Sequence, residues 1–351
     1  MYEPSKQFPP VEHRAFQNRH DAPHRRAPLR RELRAHGAGK IGINCFVLIT
    51  GYFMCMSSIT ARKYAKLVGE VVFYKVAIYA LFLAGGRVTL EPVGRVKALV
   101  PVSEIGTNFI GCFLVFYLLI PFLNVLVRNL DERRHVALLA LAGFAYVALG
   151  TLHLVTFNYV SWFCALYLLA SWARLYPKKV YADCKFWGRS TAALVLLCMA
   201  SVVAGAFAQE RLGKGGPYSL VTDSNTLLAV LTAASAFMWF KNLGIGYSAR
   251  VNVVASTTFG VLLIHANSDA MREWLWRDVV NYVGHYGDPL MLLYAVGSVL
   301  AVFAACSCVD LARIRLVEAP FLRWWDRLEP SWRKAAVRTI CRLFGRMEVK
   351  G

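Results

Sequence analysis

Residues 105–127 read IGTNFIGCFLVFYLLIPFLNVLV, an apolar run that contains no charged residue. A helix of this length, at about 1.5 Å per residue, is long enough to cross a hydrocarbon core of ~30 Å. The run lacks the alternation of apolar and polar residues that is typical of a strand in a membrane β-barrel. It therefore predicts a membrane-spanning helix.

Similar apolar runs lie on both sides of this one, near 41–57, 67–84, 136–156, 157–174, 191–208, 226–240, 253–270 and 289–310. In lipid, only helices and closed barrels satisfy every backbone hydrogen bond. We therefore predict an all-α, polytopic integral membrane helix bundle with about nine transmembrane helices. The short seventh run and the tight turn near Asn158 leave this count open by one.

The composition agrees with a membrane protein and excludes an ordinary soluble domain. Of 351 residues, 57% are hydrophobic and 17% are charged, whereas soluble domains have about 25% charged residues. The net charge of +19 would suit a nucleic-acid-binding protein, but the basic residues do not form one basic face. The expected partner is therefore the lipid bilayer and not a nucleic acid.

The loops between the runs alternate in basic content. One set contains 23 Lys and Arg residues, within 62–66, 128–134, 174–189, 241–250 and 313–350. The opposite set contains 7, within 87–97, 211–214 and 272–277. The positive-inside rule places the first set in the cytoplasm. Residues 329–351 mix aromatic and aliphatic residues with Arg and Lys, which predicts a basic amphipathic cytoplasmic tail on an anionic leaflet.

The nine cysteines predict neither a disulfide framework nor a metal site. Most of them lie inside apolar runs, and the one close pair is Cys306 and Cys308. Disulfide scaffolds and zinc sites need clustered cysteines in polar loops. We therefore expect free, mostly buried thiols, no metal and no bound cofactor.

The N-terminal segment conflicts with this topology. The helix after residue 40 should begin outside, yet residues 1–40 contain nine Lys and Arg against four acidic residues and have no apolar run. A segment this basic is expected to stay in the cytoplasm, in a disordered state. Residues 1–38 are therefore predicted to be disordered or non-native, and a spanning helix is expected to be missing before Ile41.

Five motifs, in chain order, resemble those of the acyltransferase 3 family, in its branch of bacterial surface-polysaccharide O-acyltransferases. They are GKIGINCFVLITGYFMC at 39–55, FLVFYLLIPFLN at 113–124, WFCALYLLAS at 162–171, ASTTFGVLLIH at 255–265 and EAPFL at 318–322. The resemblance covers residues 39–328, which we define as the membrane domain.

This resemblance implies about ten transmembrane helices in the bacterial cytoplasmic membrane. It also implies transfer of an acyl group, usually acetyl, from cytoplasmic acyl-CoA to a glycan hydroxyl across the membrane. The family's first helix carries an arginine and, roughly ten residues on, a histidine, regarded as the catalytic pair. Here the pairs Arg14 and His24, and Arg26 and His36, have similar spacing but lie outside any apolar run. We do not transfer the catalytic role to them.

One hypothesis explains both the misplaced charge and the missing pair. The first helix has been lost from this sequence through an incorrect start or a shifted reading frame. Sequencing the upstream genomic DNA tests this, because an upstream frame should then encode an apolar helix with Arg and His about ten residues apart.

His265 is the candidate catalytic residue, because it ends an apolar helix at the outer face. A sugar hydroxyl needs a general base to take its proton, and histidine is the side chain best suited to this near neutral pH. The alternative is an interfacial histidine bonded to a neighbouring helix. Asn267 follows it, and Ser256 and Thr257 lie about two turns deeper. Those hydroxyls line the site or bond to carbonyls of their own helix.

Four further polar positions lie in or beside the apolar runs. Asn44 and Thr50 in the first run either line the site or hold helices together. Glu318, beyond the last run, contacts either the CoA entrance or a surface ion network. Glu70 and Lys75 are five residues apart, so each is expected to find its partner elsewhere.

Two other functions compete with acyl transfer. The chain could be a truncated, inactive family member, which acetyl transfer with and without a restored upstream helix would reveal. It could also be a transporter or flippase for a lipid-linked sugar. A transporter predicts internal repeats or broken helices, and the sequence shows no repeat.

Overall fold

The computed structural model describes residues 37–89, 109–152, 158–212 and 223–328, apart from 286 and 287, together with a few single positions. Within these residues the chain forms helices and no strand, which confirms the all-α prediction. The predicted segments 1–38 and 329–351 lie outside the described residues, except for 37, 38, 330 and 335.

The described residues form eleven main α-helices. They are α1 (Gly37–Met54), α2 (Ala61–Ala84), α3 (Phe109–Arg128), α4 (Glu132–Ala142), α5 (Tyr159–Leu175), α6 (Cys184–Leu212), α7 (Leu227–Lys241), α8 (Ala249–Ser256), α9 (Thr258–His265), α10 (Asp269–Glu273) and α11 (Met291–Arg313). Three of them continue as π-helical turns, α4 into Gly143–Ala148, α10 into Trp274–Val279 and α11 into Ile314–Glu318. Leu149–Thr151 completes α4. Short 3₁₀ turns occupy Lys179–Ala182 and Tyr282–His285.

Each of the nine predicted apolar runs falls on one of these helices or, for 253–270, on the pair α8 and α9. Five helices are long and apolar enough to cross a membrane, in the regions of α2, α3, α4, α6 and α11. A sixth candidate is the pair Ala249–His265 and Asp269–Val279, which is bent by 99°. α1 and α7 are apolar but shorter, at about 22–27 Å. The chain is therefore a polytopic membrane protein, and the count of nine spans stays a prediction.

The core of the described residues lies where α1 packs against α5 and α7. Gly51 makes the contact with α5 close, since a Cβ atom at this position would lie 2.9 Å from the Cβ of Ala170. Phe46 of α1 stacks on Phe259 of α9 with ring centroids 5.8 Å apart, and lies 5.0 Å from the ring of Phe113 of α3. Aromatic side chains therefore join three helices, α1, α3 and α9, in the centre of the bundle.

The turn between α1 and α2 is held from α3. The Asn124 amide donates to the carbonyls of Met54 and Ser57, both at 3.1 Å, and the Arg128 guanidinium donates to the Cys55 carbonyl at 2.8 Å. These bonds satisfy carbonyls that the end of a helix leaves without an internal partner.

Candidate functional site

A buried ion cluster joins α2 to the C-terminal end of α11. We call it the Arg313 cluster. The Arg313 guanidinium contacts Asp310 at 2.7 Å, Glu318 at 2.7 Å and Glu70 at 3.1 Å. All four side chains are at most 8% exposed. Burying one charge of this kind without a partner is costly, so the three carboxylates and the arginine depend on each other.

Two more side chains complete the cluster from α2. The Lys66 ammonium lies 2.7 Å from Glu318 and is half exposed, so it links the buried charges to the helix end. The Tyr74 hydroxyl donates to Asp310 at 2.7 Å. Counted together, three carboxylates face Arg313 and Lys66, which leaves one carboxylate in excess.

The π-helical turn explains how Glu318 reaches Arg313. The two residues are five apart, and in an α-helix a residue and its fifth neighbour do not share a face. Ile314–Glu318 is π-helical, and a π-helix pairs residues at this spacing; such turns are frequent at functional sites. Glu318 thus lies in an ion network, as one of its two sequence-based alternatives held, but its own carboxylate is buried at 7% exposed and not on the surface. Its predicted contact with a CoA entrance stays a prediction.

The motif at 255–265 packs against the same cluster. The Thr257 hydroxyl lies 3.0 Å from the hydroxyl of Ser307 in α11 and also donates to the Val254 carbonyl. Gly260 brings the backbone of α9 against Asp310. Thr257 and Glu318, predicted separately, thus both contact the C-terminal part of α11, at Ser307 and Arg313 respectively.

His265 ends α9 immediately before the 99° bend. Its Nδ1 atom lies 2.7 Å from the carbonyl oxygen of Val261. A carbonyl only accepts, so Nδ1 carries the hydrogen of this bond, and in the neutral ring Nε2 then keeps the lone pair that a general base needs. Asn267 donates to the Leu263 carbonyl at 3.1 Å. Within the described part of the chain, both side chains therefore bond to carbonyls of α9.

Asn44 is the predicted polar residue that connects the most elements. Its side chain is fully buried, donates to the Ser224 carbonyl at 2.6 Å and accepts from the Trp162 indole at 3.0 Å. It therefore joins α1, α5 and the loop before α7. This is the geometry of a side chain that holds helices together, and its role in lining a site stays a prediction.

Thr50 and Ser256 bond within their own helices. Thr50 donates to the Phe46 carbonyl at 2.9 Å, and the exposed Ser256 donates to the Val253 carbonyl at 2.7 Å. Both show the back-bonding that is usual for hydroxyls in spanning helices. The structure does not bring either of them to Asn44 or to His265.

Four buried polar residues escaped the sequence-based selection of candidates. Asp310 is the last residue of the last apolar run, and Arg313 is the first basic residue of the predicted cytoplasmic segment 313–350. Tyr74 has the sequence context of an ordinary aromatic residue in an apolar run. An ionisable residue at the end of a spanning run is the signal that could have identified the first two. His135 is fully buried, with Nε2 3.0 Å from the Leu168 carbonyl, and lies close behind two arginines that made it look like part of a basic loop.

The described residues contain no arrangement of three His, Cys, Asp or Glu side chains that could hold a metal ion. The eight cysteines among them are free, and one of them, Cys308, is exposed. The side chains available for chemistry in this part of the chain are therefore carboxylates, cations, hydroxyls, thiols and imidazoles.

A family model described as an acyltransferase domain, that of acyltransferase 3, matches residues 13–310. The match begins before the first motif at 39–55 and ends before the motif at 318–322. Neither a curated protein nor a solved structure matches the chain.

Proposed function

We propose a donor and an acceptor for this chain, which belongs to the acyltransferase 3 family and is therefore a membrane acyltransferase. The donor is acyl-CoA, above all acetyl-CoA, on the cytoplasmic side. The acceptor is a hydroxyl of a cell-surface or lipid-linked glycan on the outer side. The protein acts in the bacterial cytoplasmic membrane and needs no bound cofactor.

The observation that supports this proposal is the distribution of polar groups along α8 and α9. Thr257 and Gly260 contact the α11 segment of the Arg313 cluster, in the half that the basic loops assign to the cytoplasm. His265 lies at the other end of the same pair, eight residues beyond Thr257, which corresponds to about 12 Å of helix. A single pair of helices thus carries the buried Thr257 and the partly buried His265, which lie toward the proposed donor side and the proposed acceptor side respectively.

The chemistry balances with His265 as general base. The hydroxyl oxygen attacks the thioester carbonyl, a C–O bond forms, and the C–S bond to CoA breaks. The hydroxyl proton moves to Nε2 of His265 and finally to the CoA thiolate, so the products are the ester and the free thiol. Positioned proton transfer of this kind typically contributes about 10²–10⁴-fold to a rate.

The test is transfer of radiolabelled acetyl groups to surface polysaccharide by His265→Ala, with His285→Ala as matched control. His285 also lies on the outer side, is stacked on Tyr294 and has no role in the proposal. We expect His265→Ala to lose about 10²-fold or more of the rate while it inserts normally, and His285→Ala to retain activity. Unchanged transfer by His265→Ala would refute its assignment. If the wild-type chain transferred acetyl groups only after an upstream helix was restored, the alternative of a truncated, inactive family member would be favoured.

The transporter or flippase has one observation in its favour, the 99° bend between Ala249–His265 and Asp269–Val279. Broken helices are typical of transporters. However, residues 269–279 contain five charged residues and two tryptophans, a composition typical of a helix that lies at the membrane interface. Movement of a lipid-linked sugar in vesicles that lack acyl-CoA would favour the transporter.

A further inference from the structure

A cleft of about 440 Å³ lies between the end of α2 and the segment 269–279. Phe82 and Arg87 line it from the side of α2, and Ala270, Glu273, Trp274, Arg277 and Asp278 line it from the other side. Gly86 makes the turn beneath it with a φ of +66°, a conformation that glycine adopts without strain. No predicted site residue lines this cleft.

The position of the cleft places it at the acceptor side. α2 ends here after starting at the basic loop 58–66, so the positive-inside rule assigns this end to the outside. Segment 269–279 begins four residues after His265 and carries the charges and tryptophans of an interfacial helix. The cleft therefore opens at the outer membrane surface, on the segment that directly follows the proposed base.

Its lining combines a pair of aromatic rings with two ion pairs. The rings of Trp274 and Phe82 meet edge to face with centroids 5.7 Å apart. Arg87 contacts Asp278 at 2.7 Å, and Arg277 contacts Glu273 at 2.6 Å. These four charged side chains are 44–62% exposed, so their remaining donors and acceptors are accessible to a ligand.

This combination fits one chemical class. Carboxylates and guanidinium groups can bond to pairs of hydroxyls, while an aromatic ring packs against an apolar C–H face. Two cations and two anions balance each other, so the cleft offers no net charge to attract an anionic group. A neutral ring with several hydroxyls and one apolar face matches all three features.

We propose that this cleft binds a neutral sugar unit of the acceptor glycan. This inference rests on the proposed function, since it names the acceptor-binding part of that site. Trp274 and Phe82 contact the apolar face of the sugar ring, and Asp278 and Glu273 accept hydrogen bonds from its hydroxyls. The sugar is then held on the segment that directly follows the one ending at His265.

The test is binding of methyl β-D-glucopyranoside and methyl α-L-rhamnopyranoside to the full chain in nanodiscs, measured by saturation-transfer-difference NMR. Trp274→Ala and Asp278→Asn are compared with Trp276→Ala and Asp269→Asn, which change the same residue types on the same segment outside the cleft. We expect the first pair to weaken binding of at least one glycoside about tenfold, equivalent to about 1.4 kcal/mol, and the control pair to leave it unchanged. Asp278→Asn keeps the test valid if Trp274→Ala fails to fold.

Failure of the inference and failure of the proposed function give different results. Absence of binding to both glycosides by the wild-type chain, or equal binding by all four variants, would overturn the cleft as a sugar site. Acetyl transfer by the wild-type chain could still be intact. Conversely, specific binding without any acetyl transfer would uphold the cleft and refute acyl transfer to a glycan.

Discussion

Gly260 faces the carboxylate of Asp310 so closely that a Cβ atom at this position would lie 2.2 Å from Cγ of Asp310. Asp310 cannot move away easily, because it is fully buried and bonded to Tyr74 and Arg313. We expect Gly260→Ala to destabilise the protein by about 3 kcal/mol or more, as overpacking of a rigid core does. The measurement is the melting temperature in detergent.

Gly297 is the matched control for this substitution, since it lies inside α11 and a Cβ atom there would meet nothing within 4 Å. Gly297→Ala should be neutral or stabilising by about 0.5–1 kcal/mol, because alanine loses less entropy in a helix. Equal melting temperatures for the two variants would contradict the close packing of α9 against the Arg313 cluster.

Arg313 offers a second test at the level of single residues. Arg313→Met leaves Glu70, Asp310 and Glu318 buried with Lys66 as the remaining cation near them. Removing one partner of a buried ion pair typically costs about 3–5 kcal/mol, and we expect an effect of that size on unfolding. Arg315→Met, at an exposed position on the next turn, should change stability by less than about 0.5 kcal/mol. Similar losses in both variants would argue against the cluster.

Among the elements, the turn between α1 and α2 is held by two side chains from α3, Asn124 and Arg128. Asn124 donates to Met54 and Ser57 and accepts from the Tyr167 hydroxyl. Asn124→Leu removes these bonds, so we expect a loss of about 1–3 kcal/mol and faster cleavage of the turn at Lys63 by trypsin. The control is Asn129→Leu, since Asn129 bonds only to the Val125 carbonyl one turn earlier in the described structure. Equal cleavage of the two variants would show that Asn124 does not hold the turn.

The helices were predictable from the sequence because an apolar run in lipid has few alternatives to a helix. The spacing of five residues between Glu70 and Lys75 predicted that each would find its partner elsewhere, and Glu70 contacts Arg313. The partner itself was not predictable, since it lies more than 240 positions away in the chain. The sequence placed Glu318 near Arg313, but the burial of this ion pair was not predictable, because the π-helical turn that enables it has no clear mark in the sequence.

At the scale of the whole molecule, apolar side chains cover the outside as well as the core. In each of the two spans α6 and α11, only 11% of the most apolar stretch is buried inside the protein. Side chains such as Phe207 and Leu292 are largely exposed, as expected for helices that face lipid. Several buried polar groups lie instead in the Arg313 cluster, around Asn44 and beside the turn after α1. The basic loops therefore predict the orientation, whereas the charges of the Arg313 cluster join α2 to α11.

The orientation is the premise on which both ends of the proposed site depend, and impermeant labelling tests it. Asp269 is exposed on the segment after His265, and Arg133 is exposed at the start of α4. In intact cells, a membrane-impermeant maleimide should label Asp269→Cys above the wild-type level, because the positive-inside rule places this segment outside. Arg133→Cys should react only after permeabilisation. The reverse pattern would place His265 and the sugar cleft in the cytoplasm beside the acyl-CoA pool, and transfer to a glycan across the membrane would then be refuted.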